Sequence, residues 1–394
     1  MNPERISSLI PDALTPPHGW PTPRSAYLHV PFCRHRCGYC NFSVLAGRDD
    51  LADDFLLAID RELSMLGSAR PIDTLFVGGG TPTHLTLPQL TRLFDSIDRW
   101  LPRNADAEAS VEANPEDIEP EKLQLLADRG INRISLGVQS FAAEKLQRLQ
   151  RGHSGDAAKR AVQNCAQWIG NVSMDLIFGA PGETIGHWRH DLTTALSLPI
   201  NHLSTYALTF EKGTQFWTER LRGNLREACE DDELAMYQDA MQLASDAGLK
   251  HYEISSFARD GFRCRHNLAY WEGKGWFAFG PGAANFVNGF RDVNHRSTTT
   301  YLKKIQEGQS PVAQREAISV VQYACERAAF GIRMIDGVDL DVIRREAGVD
   351  VAALRHVELD QCKRNDLIHV EGTHYLLTQR GILMADCVAT AFLG

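Results

Sequence analysis

Short apolar runs alternate with longer amphipathic segments along the first half of the chain. The apolar runs have the length and composition of buried strands, and we expect strands at 25–30, 73–78, 108–113, 133–139, 172–178 and 202–208. The intervening segments have helical periodicity, near 50–67, 87–101, 119–129, 142–166 and 184–197. Because strands that alternate with helices build parallel sheets, the pattern predicts an α/β fold organised as a partial, TIM-like (β/α)6 barrel.

Outside this region the pattern changes, and the changes predict the domain boundaries. Residues 1–24 include six prolines and little apolar periodicity, which indicates a flexible lead. The chain is therefore expected to comprise a proline-rich lead at 1–24, the barrel at 25–215, a barrel extension and linker at 216–313, and a C-terminal domain at 314–394.

The C-terminal segment predicts a small α+β domain. Three helical stretches precede a short hairpin at Leu367–Val370 and His374–Leu377, and a helix is expected at Arg380–Phe392. This order is typical of a winged-helix-like domain, a fold that often binds DNA. Residues 314–394, however, hold nine Lys and Arg against twelve Asp and Glu, so we expect no nucleic-acid binding.

Composition adds limits on location and partners. The 394 residues are 43% hydrophobic and 23% charged, as in ordinary globular proteins, and the formal charge is −9. No apolar run is long enough for a transmembrane segment, so any membrane contact is expected to be peripheral. Six of the nine cysteines are scattered without a pairing pattern, which favours a cytoplasmic protein with reduced thiols.

The remaining three cysteines follow the first predicted strand closely. Cys33, Cys37 and Cys40 are spaced to lie on one loop at the carboxyl end of that strand. Thiolates are soft ligands that suit zinc or iron–sulfur clusters, and structural zinc sites normally use four ligands. Three cysteines favour a [4Fe–4S] cluster with one iron left open for a ligand, while chance clustering and a structural zinc site are the weaker alternatives.

The Cys-x3-Cys-x2-Cys pattern resembles the signature of the radical S-adenosylmethionine (SAM) superfamily. The resemblance implies a radical SAM barrel in which the open iron binds the amino and carboxyl groups of SAM. It also implies that an electron from the cluster cleaves SAM to a 5′-deoxyadenosyl radical. An electron donor is then an expected partner.

Polar residues at the ends of the later predicted strands suit the same ligand. A glycine tract, Gly78-Gly79-Gly80, follows the second strand and allows close approach to a ligand. Two carboxylates, an amide and a guanidinium follow at successive strand ends: Glu112, Gln139, Asp175 and Arg151. Such groups suit a zwitterionic amino acid joined to a ribose.

In order and spacing these tracts are similar to those of the anaerobic coproporphyrinogen III oxidase-like branch of the superfamily. The resemblance covers roughly residues 25–393 and implies a set of SAM contacts. These are Tyr27, Gly79, Gly80, Thr81, Glu112, Gln139, Arg151, Asp175 and Ala207.

A second motif lies in the predicted extension, where His266 and Asn267 precede Tyr270 and Trp271. An imidazole beside aromatic rings suits a flat macrocycle, and haem iron is commonly held by histidine. The motif is similar to the His-Asn-x-x-Tyr-Trp motif of the haem-chaperone subgroup of this branch, which implies haem binding by these four residues. Cys264 is a second candidate ligand.

Two functions compete within the branch. The oxidase typically has a fourth cysteine two residues after the third, whereas this chain has Phe42 there. We therefore expect a haem chaperone whose partners are haem and client haemoproteins, including clients at a membrane, and no coproporphyrinogen oxidase activity. An oxygen-independent coproporphyrinogen III oxidase, or another radical SAM enzyme acting on tetrapyrroles, is the alternative, and catalytic residues are not identified.

Overall fold

The computed structural model describes residues 15–394, so most of the predicted lead, residues 1–14, lies outside the described residues. The strands are β1 (Ser25–Val30), β2 (Phe32–Cys33), β3 (Leu45–Ala46), β4 (Ile72–Gly79), β5 (Arg103–Ala113), β6 (Arg133–Gln139), β7 (Asn171–Phe178), β8 (His202–Ala207), β9 (Lys250–Glu253), β10 (Ser256–Ala258), β11 (Trp276–Phe279), β12 (Ala284–Val287), β13 (Phe290–Asn294), β14 (Val312–Ala317), β15 (Val338–Asp339), β16 (Ile368–Glu371) and β17 (His374–Leu377). The α-helices span Ala52–Ser64, Leu87–Trp100, Pro120–Asp128, Ala143–Arg148, Gly155–Trp168, Ile185–Leu196, Gln215–Leu221, Glu230–Asp246, Arg265–Trp271, Thr298–Gln306, Val320–Gly331, Leu340–Ala347, Val351–Leu354, His356–Arg364, Gln379–Leu383 and Ala385–Leu393.

The six predicted parallel strands form the centre of one sheet. The order β1-β4-β5-β6-β7-β8 follows the chain, and every pair in this series is parallel. The predicted α/β class and partial (β/α)6 barrel are therefore confirmed. The carboxyl ends of all six strands lie at the same edge, where polar residues from distant parts of the chain can meet.

The sheet continues on both sides of the barrel strands. Next to β1 lies β11, parallel to it, followed by the antiparallel strands β12, β13 and β14; next to β8 lie β10 and β9. The sequence suggested an extension in this region without identifying its strands. The predicted boundary between barrel and extension thus falls within one continuous twelve-stranded sheet.

Alternation along each barrel strand separates an apolar outer face from a polar interior. In β6, Ile134 and Leu136 are completely buried in the main apolar core, together with residues of the surrounding helices. The alternate residues Arg133 and Ser135 face the barrel interior, where they line a cavity. The apolar face stabilises the fold, while the polar face leaves room for a ligand.

Two predicted helices are interrupted in the structure. The helix expected at 142–166 is wrong as a single element, because it ends at Arg148 and a new helix begins at Gly155. Gln150 between them has φ of 57°, a left-handed conformation that stops a helix. The expected helix Arg380–Phe392 is likewise two helices, which meet at Met384 with φ of −121°.

The C-terminal domain has its own core and small sheet. Strands β15, β17 and β16 form that sheet, and β16 and β17 make the predicted hairpin. Trp20, in the described part of the predicted lead, packs edge-on against Phe286 and Tyr323. Between residues 15 and 394, no helix combines the length and apolar character that crossing a membrane requires.

Candidate functional site

The cysteine loop begins where β1 ends. Cys33 terminates the short strand β2, and its Sγ lies 3.4 Å from the Thr81 hydroxyl oxygen. Farther along the loop, Gly38 accepts a backbone hydrogen bond from Phe216, and a Cβ at Gly38 would lie 2.4 Å from the Phe216 ring. The helix that begins at Gln215 therefore supports the loop, a contact that the sequence did not indicate.

The glycine tract packs directly against this loop. The Gly80 amide donates to the Val30 carbonyl at 2.8 Å, and the Thr81 amide donates to the Phe32 carbonyl at 2.7 Å. A Cβ at Gly80 would lie 2.6 Å from the Phe32 carbonyl oxygen, so only glycine fits without a backbone shift. The tract thus holds the cysteine loop as well as approaching the cavity.

Two carboxylates lie inside the barrel above the glycine tract. Glu112 accepts a hydrogen bond from the Gly79 amide at 2.8 Å, and Asp175 accepts one from the Ser135 hydroxyl at 3.3 Å. Burial raises the pKa of Glu112 to about 7, and the neighbouring Asp175 adds to the rise. Burial also raises the pKa of Asp175. A cationic ligand would compensate both carboxylates.

Arg151 joins several parts of the site. Its Nη2 donates to the Asn114 side-chain oxygen at 2.5 Å and to the Gly137 carbonyl at 2.6 Å, and its Nη1 lies 3.6 Å from Cys37 Sγ. Asn114 in turn donates to the Thr81 hydroxyl at 2.7 Å. Asn114 is a site residue that the sequence analysis missed, although it follows Glu112 closely at the end of the same strand.

These residues surround a cavity of about 160 Å³, the cysteine cavity. The three cysteines line it together with seven of the nine predicted SAM contacts: Gly79, Gly80, Thr81, Glu112, Gln139, Arg151 and Asp175. Tyr27 lines an adjoining cavity instead, and Ala207 is exposed and lines neither. The structure therefore brings most of the predicted set together.

The groups around the cysteine cavity fit a cluster and SAM. The buried Nε of Arg151 has no hydrogen-bond partner within residues 15–394, so it is free to donate to a carboxylate. Burial raises the pKa of Cys33 to about 12, so the thiol remains protonated unless a metal compensates the thiolate. Among the described residues, no three His, Cys, Asp or Glu side chains are arranged to hold a single metal ion. A cluster does not require such convergence, since its cysteines bind different irons.

A second, larger cavity of about 610 Å³ fills the barrel interior. It shares Phe42, Glu112, Ser135 and Asp175 with the cysteine cavity, so the two cavities adjoin at these residues. Its walls include the aromatic rings of Tyr27, Phe76, Tyr206, Tyr270 and Trp276. Its volume lies within the range of roughly 300–1,000 Å³ that is typical of small-molecule binding pockets.

The helix Arg265–Trp271, the plug helix, closes the far end of this cavity. Its first two amides donate to the buried carboxylate of Glu108, each at 2.9 Å. The ring of His266 is 1% exposed, and its nitrogens lie 2.9 Å from the Thr74 hydroxyl and 2.8 Å from the Tyr270 hydroxyl. Thr74 pairs with Ser25, the first residue of β1, so the helix lies opposite the cysteine loop.

The four residues of the predicted haem motif do not all face one space. His266, Asn267 and Tyr270 line the large cavity, whereas the Trp271 ring packs against Phe330 in the C-terminal domain. Burial lowers the pKa of His266 to about 3, with a contribution from Arg133, so the imidazole is neutral. Ligation of iron by His266 would require the ring to leave one of its two hydrogen bonds.

Comparison with known proteins gives consistent results along the chain. Residues 27–195 match the radical SAM superfamily, and residues 319–384 match the HemN C-terminal domain. A protein of Bacillus subtilis named heme chaperone HemW is 36% identical over 94% of this chain and 99% of its own length. A protein of Mycobacterium tuberculosis with the same name is 35% identical over 94% of this chain and 95% of its own.

A solved structure of similar fold supports the architecture. The coproporphyrinogen III oxidase HemN of Escherichia coli superposes with a TM-score of 0.83, covering 100% of this chain and 93% of that chain at 21% identity. At that identity the likeness concerns the fold. The barrel, the cysteine loop and the extent of these similarities show that the chain belongs to the radical SAM superfamily and, within it, to the HemW family.

Proposed function

We propose that this protein is a haem chaperone that binds haem and transfers it to client haemoproteins. The observation that carries the proposal is the large cavity of about 610 Å³, which adjoins the cysteine cavity and is lined at its far end by His266, Asn267 and Tyr270. Relatives named heme chaperone HemW, similar over nearly their whole length, support it.

The proposal includes a [4Fe–4S] cluster on Cys33, Cys37 and Cys40, with SAM beside it. When bound, the cluster and SAM supply the radical chemistry of this superfamily. The unpartnered Nε of Arg151 would donate a hydrogen bond to the SAM carboxylate, and Glu112 and Asp175 supply negative charge for the cationic groups of SAM. Anaerobic reconstitution should yield about four irons per chain, and Cys37→Ser should abolish assembly.

Haem is proposed to occupy the large cavity. The walls present Tyr27, Phe76 and Tyr270, aromatic faces suited to a flat macrocycle. His266 is proposed as the iron ligand. Both nitrogens of its ring are hydrogen-bonded, to Thr74 and to Tyr270, so one of these bonds must break before the ring can bind iron. Iron ligation by His266 would free either the Thr74 or the Tyr270 hydroxyl, whereas binding without iron ligation would leave both bonds intact.

The test is haem titration followed in the Soret band, in wild type and His266→Ala, with coproporphyrinogen decarboxylation assayed on the same samples. We expect micromolar or tighter affinity, about −8 kcal/mol. His266→Ala should change the Soret spectrum while leaving the iron content unchanged.

An unchanged Soret spectrum in His266→Ala would assign the ligand to another residue. Cys264, the second candidate from the sequence, is completely buried and lines neither cavity, so it could serve only if the plug helix moved. Enzymatic release of carbon dioxide from coproporphyrinogen would overturn the chaperone proposal. Client haemoproteins, including clients at a membrane, an electron donor and a cytoplasmic location are parts of the proposal that need separate binding and fractionation experiments.

A further inference from the structure

Arg133 lies at the far end of the large cavity from the cysteine loop. It is the first residue of β6, and Gln139 at the other end of the same strand lines the cysteine cavity. Six residues of strand span roughly 20 Å, so Arg133 is remote from the predicted cluster ligands. The residue is only 2% exposed, yet its side chain lines the large cavity.

Two of the three guanidinium nitrogens of Arg133, Nε and Nη1, are buried without a hydrogen-bond partner within residues 15–394. Burial lowers the pKa of Arg133, while the nearby Cys264, Glu108 and Asp175 raise it overall, so these groups act on the guanidinium through their charge without accepting a hydrogen bond from either nitrogen. Buried charged groups are nearly always paired, because an unpaired one loses its hydration without compensation. An unpaired guanidinium facing a ligand-sized cavity therefore indicates that the partner belongs to the ligand.

The nearest acids are already engaged elsewhere. Glu108 accepts hydrogen bonds from the amides of Arg265 and His266 at the start of the plug helix. Asp175 is bonded to Ser135, nearer the cysteine cavity. Each carboxylate would lose these hydrogen bonds if it turned toward Arg133. The buried donors of Arg133 therefore remain available to a ligand.

The side chains at this end of the cavity suit a ligand that combines an anionic group with a flat aromatic ring system. A guanidinium presents parallel N–H donors that match a carboxylate, and Phe76 and Tyr270 provide aromatic surface in the same cavity. Haem is a flat macrocycle with two propionate carboxylates. We propose that Arg133 is the binding residue for a haem propionate, so that the protein selects porphyrins with free carboxylates.

This inference rests on the proposed function, and its test separates the two. Haem and haem dimethyl ester, in which both propionates are blocked, are titrated into the reconstituted full-length protein. Wild type should prefer haem by about tenfold or more, the effect of one charge-assisted hydrogen bond. Arg133→Gln should bind both porphyrins with nearly equal affinity, and Arg133→Lys should keep part of the preference.

Arg259 provides a control outside the cavity. It is partly buried, lines neither cavity, and its guanidinium donates to the carbonyls of Ile200 and Ala247. Arg259→Gln removes the same charge from the protein and should retain the preference for haem. Thermal unfolding and cluster absorbance establish that each variant is folded, and if Arg133→Gln is not, a reduced preference in Arg133→Lys provides the test.

Each contrary result has a distinct meaning. Equal binding of haem and its ester by wild type would overturn the role of Arg133 and leave the proposed function standing. Full preference for haem in Arg133→Gln would show that Arg133 does not bind a propionate. A loss of SAM affinity in that variant, with the preference for haem intact, would show that the guanidinium contributes to SAM binding instead. Failure of wild type to bind either porphyrin would overturn the chaperone proposal and this inference together.

Discussion

Replacement of Arg151 by alanine should weaken SAM binding strongly while leaving the protein folded. The Nη2 atom of Arg151 is committed to Asn114 and Gly137, and its Nε is the buried donor without a partner. A hydrogen bond from that donor to a carboxylate contributes about 1.5–3 kcal/mol. Its loss predicts an affinity about tenfold to a hundredfold lower.

Arg151→Ala should also lower the free energy of unfolding, but only by a small amount. The oxygen atoms of Asn114 and Gly137 would each lose a donor, at about 1–3 kcal/mol per buried group. Both residues border the cysteine cavity, where water can replace the guanidinium, so the loss should lie at the low end of that range. Arg151→Lys should retain the charge but not the paired donors, and should show an intermediate affinity.

The assay is anaerobic equilibrium binding of SAM to reconstituted wild type and variants, with iron content and thermal unfolding measured on the same samples. Arg148→Ala is the matched control, because Arg148 lies on the preceding helix and donates to the Pro181 carbonyl on the surface. Wild-type affinity in a folded, iron-loaded Arg151→Ala variant would refute the assignment of its Nε to the SAM carboxylate.

Two further predictions follow from neighbouring residues. The pKa of Glu112 is raised to about 7 in the free protein, and a cationic ligand lowers it; SAM binding near pH 7 should therefore release protons and strengthen as pH rises. Calorimetry in buffers of different ionisation enthalpy should detect this release in wild type and none in Glu112→Gln; equal release in both would exclude Glu112 as its source. Gly80→Ala forces a backbone shift near Phe32 and should lower the unfolding temperature and the cluster content, whereas Gly170→Ala, with no atom within 4 Å of the new Cβ, should change neither. Normal iron content and stability in Gly80→Ala would show that the loop tolerates the shift.

The central architecture and the position of the cysteine site could be predicted from sequence. The period of apolar residues marks strands and helices, and alternating strands and helices imply a parallel sheet. Once that order is known, Cys33, Glu112 and Asp175 must lie near the same edge, because parallel strands end together. Local patterns therefore determined the barrel and grouped most of the predicted SAM contacts.

The tertiary structure decided which partners those residues have. Asn114 joins Arg151 to Thr81, and both nitrogens of the His266 ring are bonded, through contacts between residues far apart in sequence. The break at Gln150 was also missed, since helical periodicity continues across it while the backbone turns. Sequence patterns record the propensity and burial of each segment. Hydrogen-bond partners depend instead on how separate elements pack against one another. Only that packing left two nitrogens of Arg133 buried beside the cavity without a partner.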